Sequence, residues 1–302
     1  MVSPRKIIIY FATFFILLFI IAGSFFLIMG GTDFGISKNR VEVIYVQGVM
    51  ITGSVPAGLG VAASEDITKS LKDASNDDGV KAIVMRINSP GGSPAAAEEI
   101  VGAMKKTKKP IVVSMGDVAA SAAYYISVPA DRIIANPDTI TGSIGVIWEF
   151  QNRSNFYYKD GTAFYIAKSG AFKDMGGDWR GLTDEEKKYA DQVISEAYGR
   201  FILEVATDRK MSLSKVKDLA DGRVYTGAKA RELGLVDDFG SLDDAIDVAS
   251  KLGGIEGTPE VTYANKPSLS QLLFGGQKAD ITQFTSYFYE SPYGKLLSMS
   301  YS

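Results

Sequence analysis

Residues 80–93 read VKAIVMRINSPGGS, and this stretch decides the fold. Its first part, residues 80–87, is nearly continuous in apolar side chains, the pattern of a strand buried on both faces of a parallel sheet. The Asn-Ser-Pro-Gly-Gly-Ser that follows is a turn, and a helix is expected from Pro94 to Lys106. Lys109-Pro110 ends that helix, and residues 111–115 form the next strand. The same alternation continues outward. Residues 41–46 are rich in β-branched and aromatic side chains and read as a strand, and residues 53–60 as a loop. Ser64 then caps a helix with Ile67, Leu71 and Ala74 along one face.

Downstream, residues 121–128 read as a helix, and 132–135, 140–146 and 163–168 as strands. Thr183 with Glu186 is a capping box opening a long helix, where Tyr189, Val193, Ala197, Phe201 and Val205 recur at helical spacing. Strands alternating with helices predict an α/β fold with a parallel sheet covered on both faces. Such sheets place their sites beyond the carboxyl ends of strands, where both Gly91-Gly92 and Ser121 fall.

Composition narrows the chemistry. The chain has 302 residues, room for one ordinary domain and something extra. Its net charge of −3 supplies no basic field for nucleic acid, so no nucleic-acid partner is expected. It contains no cysteine and no histidine. That excludes disulfides, a thiol nucleophile, a Ser-His-Asp triad and His- or Cys-based metal sites. No metal and no cofactor is expected. A base working near neutral pH must be a lysine, carboxylate or tyrosine with a shifted pKa.

Residues 7–29, IIIYFATFFILLFIIAGSFFLIM, carry no charge and are long enough to cross a bilayer core of about 30 Å as a helix. Arg5 and Lys6 abut the run and favour a cytoplasmic amino terminus, with the rest of the chain on the extracytoplasmic side of the cell membrane. A cleaved signal peptide, with Ala22-Gly23-Ser24 as its small-residue site, is the alternative; its apolar region is usually shorter than this one. The expected organisation is therefore residues 1–6 cytoplasmic, 7–29 a single transmembrane anchor, 30–40 a linker, 41–253 the catalytic domain and 254–302 a partly flexible extension. The polar end of that extension, residues 291–302, is a candidate regulator or processing substrate of an active site.

Three segments carry candidate chemistry. Ser121 follows a strand and opens a helix, where free backbone N–H groups can stabilise an oxyanion; taken alone it reads first as an ordinary helix cap. Gly91 and Gly92 let the backbone approach a ligand and aim an N–H at it, opposite the N–H of Ala122; taken alone they are equally a turn. Lys173, in Lys-Ser-Gly-Ala-Phe-Lys-Asp, can act as a general base if desolvated, with Ser169 holding its amino group; a blindly chosen lysine is a solvated surface group.

Read together, the chain resembles the signal peptide peptidase A family, the membrane-bound Ser–Lys peptidases of bacteria and archaea. The matching stretches are RINSPGGS (86–93), KPIVVSMGDVAAS (109–121), Tyr124-Tyr125, TITGSIGV (139–146), SGAFKD (169–174), ADGRVYTG (220–227) and ELGLVD (232–237). The resemblance implies a Clp protease/crotonase-like fold of repeated β-β-α units, with Ser121 as nucleophile and Lys173 as general base. It implies an oxyanion hole from Gly91 or Gly92 with Ala122, and a ring-like homo-oligomer in which serine and lysine can meet across a subunit boundary. The substrates it implies are peptides: remnant signal peptides and small or misfolded polypeptides near the membrane. The family usually has Gly-Gly after the nucleophile, whereas Ala122-Ala123 stand here. Rival readings are a crotonase-like hydratase of coenzyme A thioesters, a Clp-like peptidase that processes a membrane partner, and a silent peptide-binding scaffold.

Overall fold

A computed structural model describes residues 13–21, 39–55 and 60–265. The chain divides into an amino-terminal segment, residues 1–38, and a main body, residues 39–302. In the first, residues 13–21 form helix α1, whose Phe and Ile side chains are exposed. Among the described residues no helix is long and apolar enough to cross a membrane. Most of the expected span, residues 7–29, lies outside them, as do residues 266–302 of the expected extension.

The body is a parallel sheet between two layers of helix. Along the chain run β1 (Arg40–Gln47), β2 (Val49–Ile51), β3 (Val61–Ala63), α2 (Ser64–Asn76), β4 (Val80–Ser89), α3 (Pro94–Lys106), β5 (Ile111–Ala120) and α4 (Ala122–Ser127). Then come β6 (Arg132–Ala135), β7 (Ile140–Gly142), α5 (Ser154–Lys159), α6 (Asp184–Asp208), α7 (Leu213–Leu219), β8 (Val224–Thr226), α8 (Gly227–Leu233), β9 (Asp238–Phe239), α9 (Leu242–Leu252) and β10 (Glu260–Ala264). The main sheet runs in the order β10-β1-β4-β5-β6-β9, each of these pairs parallel, with β7 branching from β5 and β8 pairing antiparallel to β7, while β2 and β3 form a small parallel sheet of their own.

Alternation along the central strands explains the layers. Ile44, Val46, Ile83, Met85, Ile87, Val113 and Met115 face α2, α3 and α4, in a core that also holds Ile67, Leu71, Ile100 and Tyr124. Val41, Val43, Ala82, Val84 and Val112 face the opposite way and are covered by Ala245, Ile246 and Ala249 of α9. Apolar side chains are needed on both faces, hence the nearly continuous run at residues 80–87, interrupted only by Lys81 and Arg86. Each large side chain so buried contributes about 1.5–3 kcal/mol relative to exposure.

The decisive irregularity lies in β5. Val112–Ser114 pair with β6, but Val118–Ala120 pair instead with β7. Against β4 the register also shifts between Ile87 and Ser89. The strand leaves one neighbour for another and runs on past the expected end at residue 115. Two hydroxyls stitch the new pairing: Thr139 Oγ1 donates to the Gly116 carbonyl at 2.7 Å and Thr141 Oγ1 to that of Ala119 at 2.7 Å.

Four local expectations differ from the structure. Ser64 does not cap α2; it is the first helical residue, and its buried hydroxyl donates to Glu99 of α3. The strand expected at 140–146 stops at Gly142, because Gly142 and Ser143 both turn into positive φ (78° and 50°). Residues 163–168 are extended but join no ladder among the described residues, and Phe164 packs between Tyr157 and Trp179 rings at 4.9 and 5.7 Å. On α6 the core is reached from the carboxyl half, by Phe201, Ile202 and Val205 with Tyr198 and Ala206 partly buried against them; Tyr189, earlier on the stripe, meets Phe172 instead. Beyond residue 253, β10 continues the sheet by pairing with β1.

Candidate active site

Ser121 sits between the end of β5 and the start of α4 with φ 55° and ψ −125°. A residue with a Cβ in that region costs roughly 1–3 kcal/mol unless its surroundings enforce it. Here they do: the Ser121 N–H donates to Gly142 of β7 at 2.8 Å, and its carbonyl accepts from Tyr125 N–H at 2.9 Å. The helix is fixed in turn by Tyr124, whose buried hydroxyl donates to the Leu235 carbonyl at 3.0 Å. Tyr125 donates to Glu98 at 2.8 Å and packs edge-on against Phe201 at 5.1 Å. Burial pushes both phenols well above their ordinary pKa, so they stay neutral donors. The Ser121 hydroxyl, by contrast, caps nothing and has no hydrogen-bond partner among the described residues. A strained strand-to-helix turn that leaves a hydroxyl free is the geometry of an exposed nucleophile rather than of a cap.

The glycine pair closes on this serine. A Cβ placed on Gly91 (φ 106°) would lie 2.9 Å from the Ala120 carbonyl oxygen, the Ala122 nitrogen and the Ser121 Cβ, so no other residue fits. On the far side, Met50 N–H donates to Gly91 at 2.8 Å and Ser93 N–H donates to Met50 at 2.9 Å, an isolated parallel bridge between Met50 and Gly92. A Cβ on Gly92 would overlap the Met50 carbonyl oxygen at 2.2 Å. The bridge uses the groups flanking Gly92, so Gly92 turns its own N–H and C=O away from Met50.

These contacts separate the roles of the two glycines. The Gly91 N–H is already given to Ser89 Oγ at 3.1 Å, whereas the N–H groups of Gly92 and Ala122 have no partner among the described residues. Ala122 and Ala123 bury their methyls in the core, so they leave these amides open. A buried residue that sequence reasoning missed, Ser143, follows Gly142 directly and is thereby carried next to Ser121. Its positive φ of 50° comes from the tertiary pairing of the corner and leaves no signal in the sequence.

Lys173 is placed quite differently. It lies in the turn-rich stretch 169–176 of an arm, residues 146–182, that leaves the sheet after β7 and returns at α6. It is exposed, its side chain has no hydrogen-bond partner among the described residues, and no hydrogen bond joins it to Ser121 or to Ser169. The next residue, Asp174, is held tightly. Arg180 donates to Asp174 through Nε (3.1 Å) and Nη2 (2.8 Å), and to Glu186 through Nη2 (2.6 Å) and Nη1 (2.8 Å). Lys168 Nζ adds a contact to Asp174 at 2.6 Å. These cations hold the Asp174 carboxyl well below the usual carboxylate range, and Arg180 with the Thr183 N–H draws that of Glu186 down to about 2.

Known proteins share sequence with most of this body. The description of peptidase family S49 matches residues 103–256, and that of Clp protease matches residues 45–138. A relative in Synechocystis sp., provisionally named as a protease, is 38% identical over 210 residues, 69% of this chain and 74% of its own. One in Enterococcus faecium, provisionally named signal peptide peptidase SppA, is 39% identical over 204 residues, 67% of this chain and 59% of the relative. A chloroplastic serine protease, SPPA, of Arabidopsis thaliana is 32% identical over 240 residues, 77% of this chain and 36% of the relative. The Clp protease match accounts for the strands and helices that lead to Ser121, and the S49 match for the remainder through α9. The chain thus belongs to peptidase family S49 and is a serine peptidase of the signal peptide peptidase A kind.

Proposed function

We propose that this chain is a membrane-anchored endopeptidase that cleaves remnant signal peptides and other small or misfolded peptides through an acyl-enzyme, with Ser121 as nucleophile and Lys173 as general base. One observation carries the reading: the unpartnered Ser121 hydroxyl shares its corner with the unpartnered amides of Gly92 and Ala122. An extended peptide lies beside the open C=O of Gly92 as an added strand, setting alternate side chains into pockets, while the Gly92 N–H is kept for the reacting carbonyl. A neutral lysine amine takes the Ser121 proton as the oxygen attacks the scissile carbonyl. The oxyanion forms between the two amides, the amine product leaves, and water releases the acyl group.

Lys173 comes from a second copy of the chain. What supports this is its exposed place on the arm, together with the absence of any hydrogen bond to Ser121 in one copy. The arm also exposes aromatic surface at Trp148, Tyr158 and Tyr165, of the kind a subunit contact covers. The uncharged run 7–29, preceded by Arg5 and Lys6, supports a single-pass anchor with the peptidase body outside the cytoplasm.

The test uses the full chain in detergent. Ser121→Ala and Lys173→Ala should each abolish peptide turnover, and mixing the two inactive variants should restore a fraction of it. Full activity in either purified variant overturns the dyad. Two dead variants that never complement overturn the contribution from a second copy.

A further inference from the structure

We infer that Arg180 is a positioning residue for the base: its guanidinium ties the lysine-bearing turn to the rigid start of α6, so that Lys173 is presented in one place. The inference rests on the reading of Lys173 as general base.

The argument begins with what the arm lacks. Residues 146–182 contain a single short helix, α5, and no strand, so no ladder fixes their backbone. Among the described residues, the arm's side chains bond to one another or to the first turn of α6. A catalytic amine on such a segment must be located by something else.

Arg180 supplies the tie. All five of its N–H groups are used: three on Glu186 and Asp174 through Nη2 and Nε, and two through Nη1 on Glu186 and the Gly181 carbonyl at 3.0 Å. Both carboxylates are nearly enclosed, their side chains 9% and 4% exposed, within a mostly exposed arm and helix start. Glu186 is itself immobilised, since it accepts from Thr183 N–H at 2.8 Å and closes the capping box of a helix anchored in the core by Phe201, Ile202 and Val205. The linkage therefore runs without a gap from the core through α6, Glu186, Arg180 and Asp174 to the neighbouring Lys173. A planar fork bridging two carboxylates is a task a lysine cannot perform.

Charge points the same way. A lone Asp174 carboxylate one residue from Lys173 would favour the protonated, inactive amine. Arg180 and Lys168 together balance Asp174 and Glu186. The other charged groups around the turn are Asp184 and Lys187, paired with each other at 3.0 Å, the exposed Glu185, and Asp178, which faces Arg153 at 3.9 Å. Removing the arginine charge leaves the cluster with one negative charge in excess.

The experiment compares Arg180→Gln and Arg180→Lys with the wild-type full chain over a pH series, with Lys173→Ala as control. Arg180→Gln should lower kcat about a hundredfold, as misplacement of a catalytic group by about 1 Å does. KM should stay within about twofold, and the rising limb of kcat/KM should move to higher pH by about half a unit or more. Arg180→Lys keeps the charge and loses the fork, so kcat should fall while the limb stays in place. Should Arg180→Gln fail to fold or assemble, Arg180→Lys alone decides, and an unchanged kcat there overturns the inference. So does a folded Arg180→Gln with wild-type kcat and limb, or one in which only KM rises. An active Lys173→Ala overturns the underlying assignment of the base instead.

Discussion

The two halves of the proposed dyad stand on regions built in opposite ways. Around Ser121 the flanking segments belong to ladders, a bridge and a helix, with the Gly92 and Ala122 amides left open, and β4, β5 and β7 converge on one corner. Around Lys173 there is no ladder. An ionic fork and a chain of aromatic contacts from Phe156 through Tyr157 and Phe164 to Trp179 hold the arm's shape. A corner made by a single chain's sheet is finished when that chain folds. A lysine on an exposed arm is finished only when something packs against it. Stability of the body and activity of the enzyme should therefore respond to different perturbations.

The strongest way to break the comparison is to spoil the finished corner. Gly92→Ala puts a methyl where the Met50 carbonyl already is, 2.2 Å away, at φ 148°. The bridge to β2 must open and carry the Gly92 amide with it. Loss of one oxyanion donor lowers kcat by about 10²–10³-fold, and that is the expected effect on turnover by a purified, folded variant. Assembly should be untouched, because the arm is not involved. Turnover within a few-fold of wild type would show that the Gly92 amide is not a donor.

A smaller effect should isolate the other region. Asp174 and Glu186 both have carboxyls depressed by Arg180. A depressed carboxylate contributes stability above its unfolded pKa of about 4 and loses that contribution as pH falls through its folded value. For Glu186 this places the loss between about pH 4 and about pH 2. The protein has two tryptophans, Trp148 and Trp179, and both lie on the arm. On acidification their emission should shift to the red across that window, while the far-ultraviolet signal of the sheet and its helices persists. Simultaneous loss of both signals would show that the arm and body are one cooperative unit.

The sequence was readable where one chain's own burial dictates the pattern. Residues 80–87 and the helix Pro94–Lys106 follow from nearly continuous apolar character and from proline and glycine punctuation; the helix appears as read, and the strand runs two residues further, to Ser89. The capping box at Thr183 and Glu186 also forms. What escaped has a common cause, dependence on distant partners. The end of β5 could not be read because its last residues continue the strand through a shifted pairing with β4 and a new one with β7, neither visible in local sequence. Residues 163–168 have strand composition and no sheet to join. Of the site, Ser121, the glycine pair and Ala122 could be picked out as a strand-turn-helix corner. That Gly91 is the spacer and Gly92 the free amide depends on Ser89 and Met50, and spacing alone cannot assign it. The fork of Arg180 was invisible for a similar reason: charged residues on a polar stretch read as solvated until geometry pairs them.

The smallest effect sharpens the corner itself. Ala122-Ala123 follow the proposed nucleophile where the family resemblance leads one to expect glycines, and a natural concern is that their methyls narrow the substrate site. Ala123 is fully buried and Ala122 almost so, both within the core beneath the corner. Their methyls thus belong to packing, while the Ala122 amide stays open at the proposed site. Ala123→Gly removes a buried methyl, worth about 0.8 kcal/mol, and adds the backbone freedom of a helical glycine, worth about 0.5–1 kcal/mol. The expected result is a loss of about 1–2 kcal/mol in unfolding free energy, with kcat/KM for a set of peptides changed less than about threefold. A large change in which peptides are cleaved, at little cost in stability, would move these methyls from the core into the pocket. The alanines would then be specificity elements rather than a firmer foundation for Ser121.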